Sequence, residues 1–100
     1  MKDVKDRVAV VTGAASGIGL AMCERFAAEG MKLVMADLKD SPLEKEAARL
    51  RGSTEVLTQP TDVAKWGEVQ ALAAATKKQF GGAHVVCNNA GVMSSADPWF

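Results

Sequence analysis

The run Thr12-Gly13-Ala14-Ala15-Ser16-Gly17-Ile18-Gly19 sets three glycines between a short apolar segment and a helical pattern. Each glycine has its own physical task. Gly13 permits a tight turn, Gly17 lets the backbone come close to a bound group, and Gly19 lets a helix pack near the preceding strand. The helix start that follows offers N–H donors and a partial positive charge, which suits a dinucleotide pyrophosphate. The bland alternative is a βα turn that happens to be rich in small residues, but three glycines in this context favour phosphate binding. Asp37 closes the next apolar run, 24 residues beyond Gly13, where a dinucleotide fold places the carboxylate that accepts hydrogen bonds from the adenosine ribose hydroxyls. Alone it would read equally as a loop residue helping to cap the following helix. With the glycine turn before it, the ribose role is favoured.

The elements that must hold these residues alternate regularly. Val8-Ala9-Val10-Val11 is a continuous apolar run, as expected of a strand buried on both faces. Residues 17–29 turn helical, with Ile18, Met22 and Phe26 recurring on the expected buried face, and Gly30 ends the helix. Residues 33–36 form a second buried strand. Ser41-Pro42-Leu43-Glu44 has the form of a capping box, opening a helix that buries Leu43, Ala47 and Leu50 and stops at Gly52. A third strand over 55–59 closes at Pro60. A longer helix over 65–80 carries Val69, Leu72, Ala73, Thr76 and Phe80 at helical spacing. Gly67 falls near its first turn with no evident physical need. Gly81-Gly82 ends it, and residues 84–87 form a fourth strand running into Asn88-Asn89-Ala90-Gly91. Links this short force parallel packing, so the expected fold is α/β: the N-terminal half of a Rossmann-type doubly wound parallel sheet, β-α-β-α-β-α-β, in strand order 3-2-1-4. Residues 1–100 read as the N-terminal part of one such domain, broken off after the fourth strand.

Composition excludes several other classes. Twelve basic and twelve acidic residues give a formal net charge of zero, against a nucleic-acid or polybasic membrane surface. No apolar run approaches the ~20 residues of a membrane span, and the N-terminus lacks a signal-peptide core. Cys23 and Cys87 lie far apart without metal-ligand spacing, so no metal is expected, and reduced thiols favour the cytoplasm. Cys87, Met35 and Trp66 read as packing residues, and the lone His84 as a packed, hydrogen-bonded one.

Three motifs, each at an expected strand end, resemble the short-chain dehydrogenase/reductase family: the T-G-x-x-x-G-x-G turn of Thr12 to Gly19, Asp62-Val63 after the third strand, and N-N-A-G at Asn88 to Gly91. The resemblance implies that Gly13, Ser16, Gly17, Ile18 and Gly19 line the pyrophosphate, Asp37 the adenosine ribose, and Asp62 and Val63 the adenine. It implies that Asn89, Ala90 and Gly91 line the path towards the nicotinamide ribose, while Asn88 braces the sheet. His84 stands where members more often carry an aspartate. The implied cofactor is NAD in preference to NADP, and the implied reaction is hydride transfer between an alcohol and a carbonyl substrate, in a homo-oligomer. Family catalysis resembles acid–base work by a tyrosine with a lysine four residues on. The chain holds no tyrosine, so no catalytic residue is assigned in it. Ser94 and Ser95 lie too close to the fourth strand to act as the family's serine. By the family's usual size of roughly 250 residues the resemblance covers less than half a member. The chain alone is therefore expected to be inactive. The rival reading is a non-catalytic dinucleotide-binding or regulatory protein with the same fold.

Overall fold

The computed structural model describes residues 4–89. Seven elements alternate along them: β1 (Val8–Thr12), α1 (Gly17–Ala28), β2 (Lys32–Asp37), α2 (Leu43–Leu50), β3 (Val56–Pro60), α3 (Trp66–Phe80) and β4 (Val85–Asn88). The strands form one parallel sheet in the order β3-β2-β1-β4, as the alternation predicts. β1 lies inside the sheet and all five of its residues are buried, which is why it reads as an unbroken apolar run. Period-two alternation divides the core. Ala9, Val11, Leu33 and Met35 pack under α1 and α2, whereas Val8, Val10, Val34 and Ala36 pack against Leu72 and Ala73 of α3. The chain therefore builds outward from β1 to β3 along one face, then crosses the other face to lay β4 beside β1. The strand order reverses at β1, and that reversal opens a crevice above its C-terminal end.

Five local expectations give way in the structure. The buried face of α1 is Gly19, Cys23 and Ala27, one residue along from the expected stripe, and Ile18 is 73% exposed. Small residues let α1 approach the sheet, while Met22 and Phe26 flank the contact half-buried. The capping box at Ser41 does not form. Ser41 Oγ donates to Leu38 O at 2.6 Å, and the Glu44 carboxylate is drawn to Arg51 and to Thr58 Oγ1. Trp66 is 40% exposed on the first turn of α3, so it is not a core residue. His84 is exposed rather than packed, yet it is hydrogen-bonded: its backbone N–H donates to Val8 O at 2.9 Å and its Nδ1 accepts from Val8 N–H at 3.0 Å. His84 thus meets both backbone groups of Val8, one with its main chain and one with its ring. Pro60 sits within β3, not after it, because an edge strand tolerates the missing N–H. Nothing in the structure requires glycine at position 67, where an added Cβ would meet open space.

Candidate nucleotide-binding site

The glycine turn lies at the C-terminal end of β1, where the strand order reverses. Gly13 and Gly17 both hold left-handed backbone, with φ of +64° and +57°. A Cβ on Gly17 would meet nothing within 4 Å, so the turn's outer side stays open there. Gly19 is the opposite case. A Cβ there would stand 2.0 Å from the Gly13 carbonyl oxygen and 2.9 Å from Asn89 Nδ2. The first turn of α1 therefore rests directly on the backbone of the glycine turn, and only a hydrogen fits between them. Ser16 occupies the N-cap in extended conformation without a side-chain cap bond, and no acidic residue sits in the first turn of α1. That donor set suits an anion: neutral, backbone-rich and free of competing carboxylates in its own first turn.

Two bridges tie the turn to β2. Ala14 N–H donates to Ala36 O at 3.0 Å, and Ala15 N–H donates to Asp37 Oδ2 at 2.9 Å. The other carboxylate oxygen, Oδ1, accepts from Leu38 N–H at 2.7 Å. A carboxylate accepts about four hydrogen bonds, so Asp37 keeps capacity for two more at the crevice. On the β4 side, Thr12 is fully buried and its hydroxyl organises the strand end. Asn89 N–H donates to Thr12 Oγ1 at 3.0 Å, and Thr12 Oγ1 lies 3.2 Å from Asn88 Oδ1. Asn88 thus braces β1 against β4, and Asn89 Nδ2 reaches the Gly13 carbonyl at 3.5 Å. Ala90 and Gly91 lie outside the described residues.

The remaining expected residues stand further out on the β3 side. Asp62 Oδ1 accepts from Ala64 N–H at 2.9 Å, and Asp62 N–H donates to Glu68 Oε1 at 2.8 Å. A cavity of about 410 Å³ opens between the β2–α2 and β3–α3 loops, lined by Leu38, Lys39, Pro60, Asp62, Lys65 and Glu68. Val63 is half-buried beside Asp62. A second cavity of about 280 Å³ lies on the β4 side, lined by Ile18, Met22, Cys87, Asn88 and Asn89. The strand order in the sheet puts β1 between them, so the two hollows flank the glycine turn.

The profile of the family described as short chain dehydrogenase matches residues 7–98. The chain belongs to the short chain dehydrogenase family. It is 45% identical over 94 residues to 2-(R)-hydroxypropyl-CoM dehydrogenase of Xanthobacter autotrophicus, covering 91% of this chain and 37% of that protein. It is 46% identical over 91 residues to 1-deoxy-11-beta-hydroxypentalenate dehydrogenase of Streptomyces exfoliatus, covering 90% of this chain and 33% of that one. Among solved structures, a short chain dehydrogenase/reductase from Burkholderia phymatum in complex with NAD superposes with a TM-score of 0.82 at 42% identity, over 86% of this chain and 31% of that one. L-sorbose reductase of Gluconobacter frateurii, complexed with NADPH and L-sorbose, superposes with a TM-score of 0.84 at 39% identity, over 91% and 35%. The chain spans about a third of the length of these relatives.

Two residues of this short chain dehydrogenase chain escaped the reading of its sequence. Thr12 is the hydroxyl that joins the glycine turn to Asn88 and Asn89, and the signal was a lone polar residue ending an apolar strand. Glu68 closes the turn at Asp62 from six residues away, a spacing that no capping rule flags. The thiols behave as filler. Burial pushes the Cys23 thiol up to about 12, with nearby Cys87 and Glu24 adding to the shift, and burial raises Cys87 as well. Neither supplies a thiolate near neutral pH. Among the described residues no group of three or more His, Cys, Asp or Glu is placed to hold a metal ion, and no helix is long and apolar enough to cross a membrane.

Proposed function

We propose that these residues form the nucleotide-binding N-terminal part of a single Rossmann-type domain, in an NAD(P)-dependent oxidoreductase that interconverts an alcohol and a carbonyl. The observation that carries the reading is the seat of α1 on the glycine turn. With Gly19 pressed against Gly13 and no acid in its first turn, α1 aims backbone N–H groups into the crevice over β1. A nicotinamide dinucleotide bound there would supply the hydride donor or acceptor. This chain's own share is binding and orientation. Gly13, Ser16, Gly17, Ile18 and Gly19 take the pyrophosphate, Asp37 the adenosine ribose, and Asp62 with Val63 the adenine in the cavity beside β3. Asn89, Ala90 and Gly91 take the path towards the nicotinamide ribose. With no tyrosine among the 100 residues, proton transfer falls to residues outside them. The relatives support this over a non-catalytic binding protein, since they are named dehydrogenases and reductases. A cytoplasmic homo-oligomer is the matching setting, on the family resemblance and on the two free thiols.

NAD is the proposed cofactor in preference to NADP. The spare acceptor capacity of Asp37 suits two ribose hydroxyls, each such bond to a charged group being worth about 1.5–3 kcal/mol. A 2′-phosphate would meet that negative charge, and exposed Lys39 beyond it offsets only part of the repulsion. The experiment is calorimetric titration of the protein at its native length with NAD and NADP, repeated with Asp37→Ser. Tighter NAD binding, with the ratio collapsing in the variant, is the expected result. A wild-type preference for NADP, or a ratio that the substitution leaves alone, removes Asp37 from the ribose site. Reduction of NAD by simple secondary alcohols, followed by nicotinamide absorbance, tests the reaction class.

A further inference from the structure

Asp37 is already bound at both carboxylate oxygens by backbone N–H groups, one of which belongs to the glycine turn across the crevice. We infer that Asp37 is also a positioning residue for that turn: it holds Ala15, and through it the start of α1, in the shape that receives the pyrophosphate. The inference rests on the nucleotide reading above and deepens it, because a side chain assigned to the ribose end then governs affinity at the phosphate end.

The turn needs such a hold. Gly13 and Gly17 can each leave the left-handed region without steric penalty, so the backbone between them is intrinsically loose. Ser16 contributes no side-chain capping bond, and only its carbonyl joins the helix start, accepting from Leu20 N–H at 3.2 Å. The Asn89 amide reaches Gly13 only at 3.5 Å, the weak end of hydrogen-bond geometry. What remains between the turn and β2 is the Ala14–Ala36 backbone bond and the bond from Ala15 to the Asp37 carboxylate. The second is charge-assisted, hence the stronger kind. Ala15 is only 3% exposed, so water is poorly placed to replace a lost carboxylate at its N–H. The Leu38 N–H on the other oxygen keeps the carboxyl group turned towards Ala15. The bridge is therefore rigid at one end and secures a flexible segment at the other.

A ligand that cannot use the ribose contacts separates the two roles. Affinities for NAD and for an NAD analogue lacking both adenosine ribose hydroxyls are measured by calorimetry in the native-length protein, in wild type, Asp37→Ala and Asp37→Asn. If the turn without its bridge holds the binding shape about a tenth of the time, Asp37→Ala weakens the dideoxy analogue about tenfold. Asp37→Asn, which keeps one oxygen for Ala15, restores most of that loss while still binding NAD poorly. Amide exchange in the ligand-free Asp37→Ala protein should speed up at Ala15, with β1 and β2 protection unchanged. Analogue affinity unaltered by Asp37→Ala, with NAD alone weakened, overturns the inference and leaves the nucleotide site standing. Wild-type protein that binds neither ligand overturns both.

Discussion

The N-termini of α1 and α3 sit on the same edge of the sheet, each after a βα turn, and they are treated in opposite ways. The approach to α3 is closed by its own carboxylates: Asp62 accepts from Ala64 N–H, and Glu68, in the helix's first turn, reaches back to Asp62 N–H. The approach to α1 has glycines in place of those groups, no acid in the first turn and no side-chain bond from Ser16. Both sequences could have carried a stabilising acid at the helix start, worth about 0.3–1 kcal/mol against the dipole. Only α3 does. The difference teaches that the first turn of α1 keeps its N–H groups clear of side-chain partners, whereas the approach to α3 spends its own carboxylates on its backbone.

The comparison can be broken most severely at Gly19. Gly19→Val should abolish detectable dinucleotide binding by calorimetry, because its Cβ would lie 2.0 Å from the Gly13 carbonyl oxygen and would force the glycine turn out of its shape. The strain should also lower stability by about 1–3 kcal/mol in chemical denaturation. A variant that bound normally would show that α1 does not depend on this close seat. A subtler change gives α1 the acid that α3 has. Ser16→Asp should raise the melting temperature slightly, through the dipole, while weakening NAD about tenfold by placing a negative charge beside the diphosphate. Opposite movement of the two readouts is the signature, and a parallel gain in both would refute the contrast. In the reverse direction, Asp62→Ala should cost about 1 kcal/mol of stability through the lost turn bond. Its effect on affinity should stay below that of Ser16→Asp.

The smallest effect belongs to α2, where an acid in the first turn is used neither for capping nor for ligand. Side-chain bonds from Arg51 first, and then Thr58, hold the Glu44 carboxyl below its ordinary value of 4.5. A depressed folded-state value stabilises the protein above that ordinary value and is lost as the pH falls through the folded one. Glu44→Gln should therefore flatten a shallow acid limb of the stability profile and leave neutral pH little changed, since the group is exposed. An unaltered acid limb would mean that the bridge to Arg51 contributes nothing in solution.

Much of this was legible in the residues. The all-apolar Val8 to Val11 announced a strand covered on both sides, and short links between alternating elements left one sensible strand order. Gly13 and Gly19 declared a turn and a close approach, since glycine adopts the left-handed backbone at 13 most cheaply and a Cβ at 19 has no room. The face of α1 was harder to read. Helical periodicity locates a stripe but cannot say which of two adjacent rows meets the sheet, and here small Gly19, Cys23 and Ala27 won over bulkier Ile18, Met22 and Phe26. The Ser41 capping box failed because Glu44 found Arg51 and Thr58, partners that only folding brings near.

By itself, the sequence determined the element order, the parallel sheet and the chemical character of the first turn. These depend on local propensity, apolar runs and backbone permissiveness, which are properties of neighbouring residues. Tertiary structure alone decided which groups those residues would bond: His84 Nδ1 on Val8, Thr12 between Asn88 and Asn89, and Asp37 on Ala15. A polar atom has many possible partners along an unfolded chain. Which one it takes depends on distance and angle after the strands pair, and no pattern along the sequence carries that geometry.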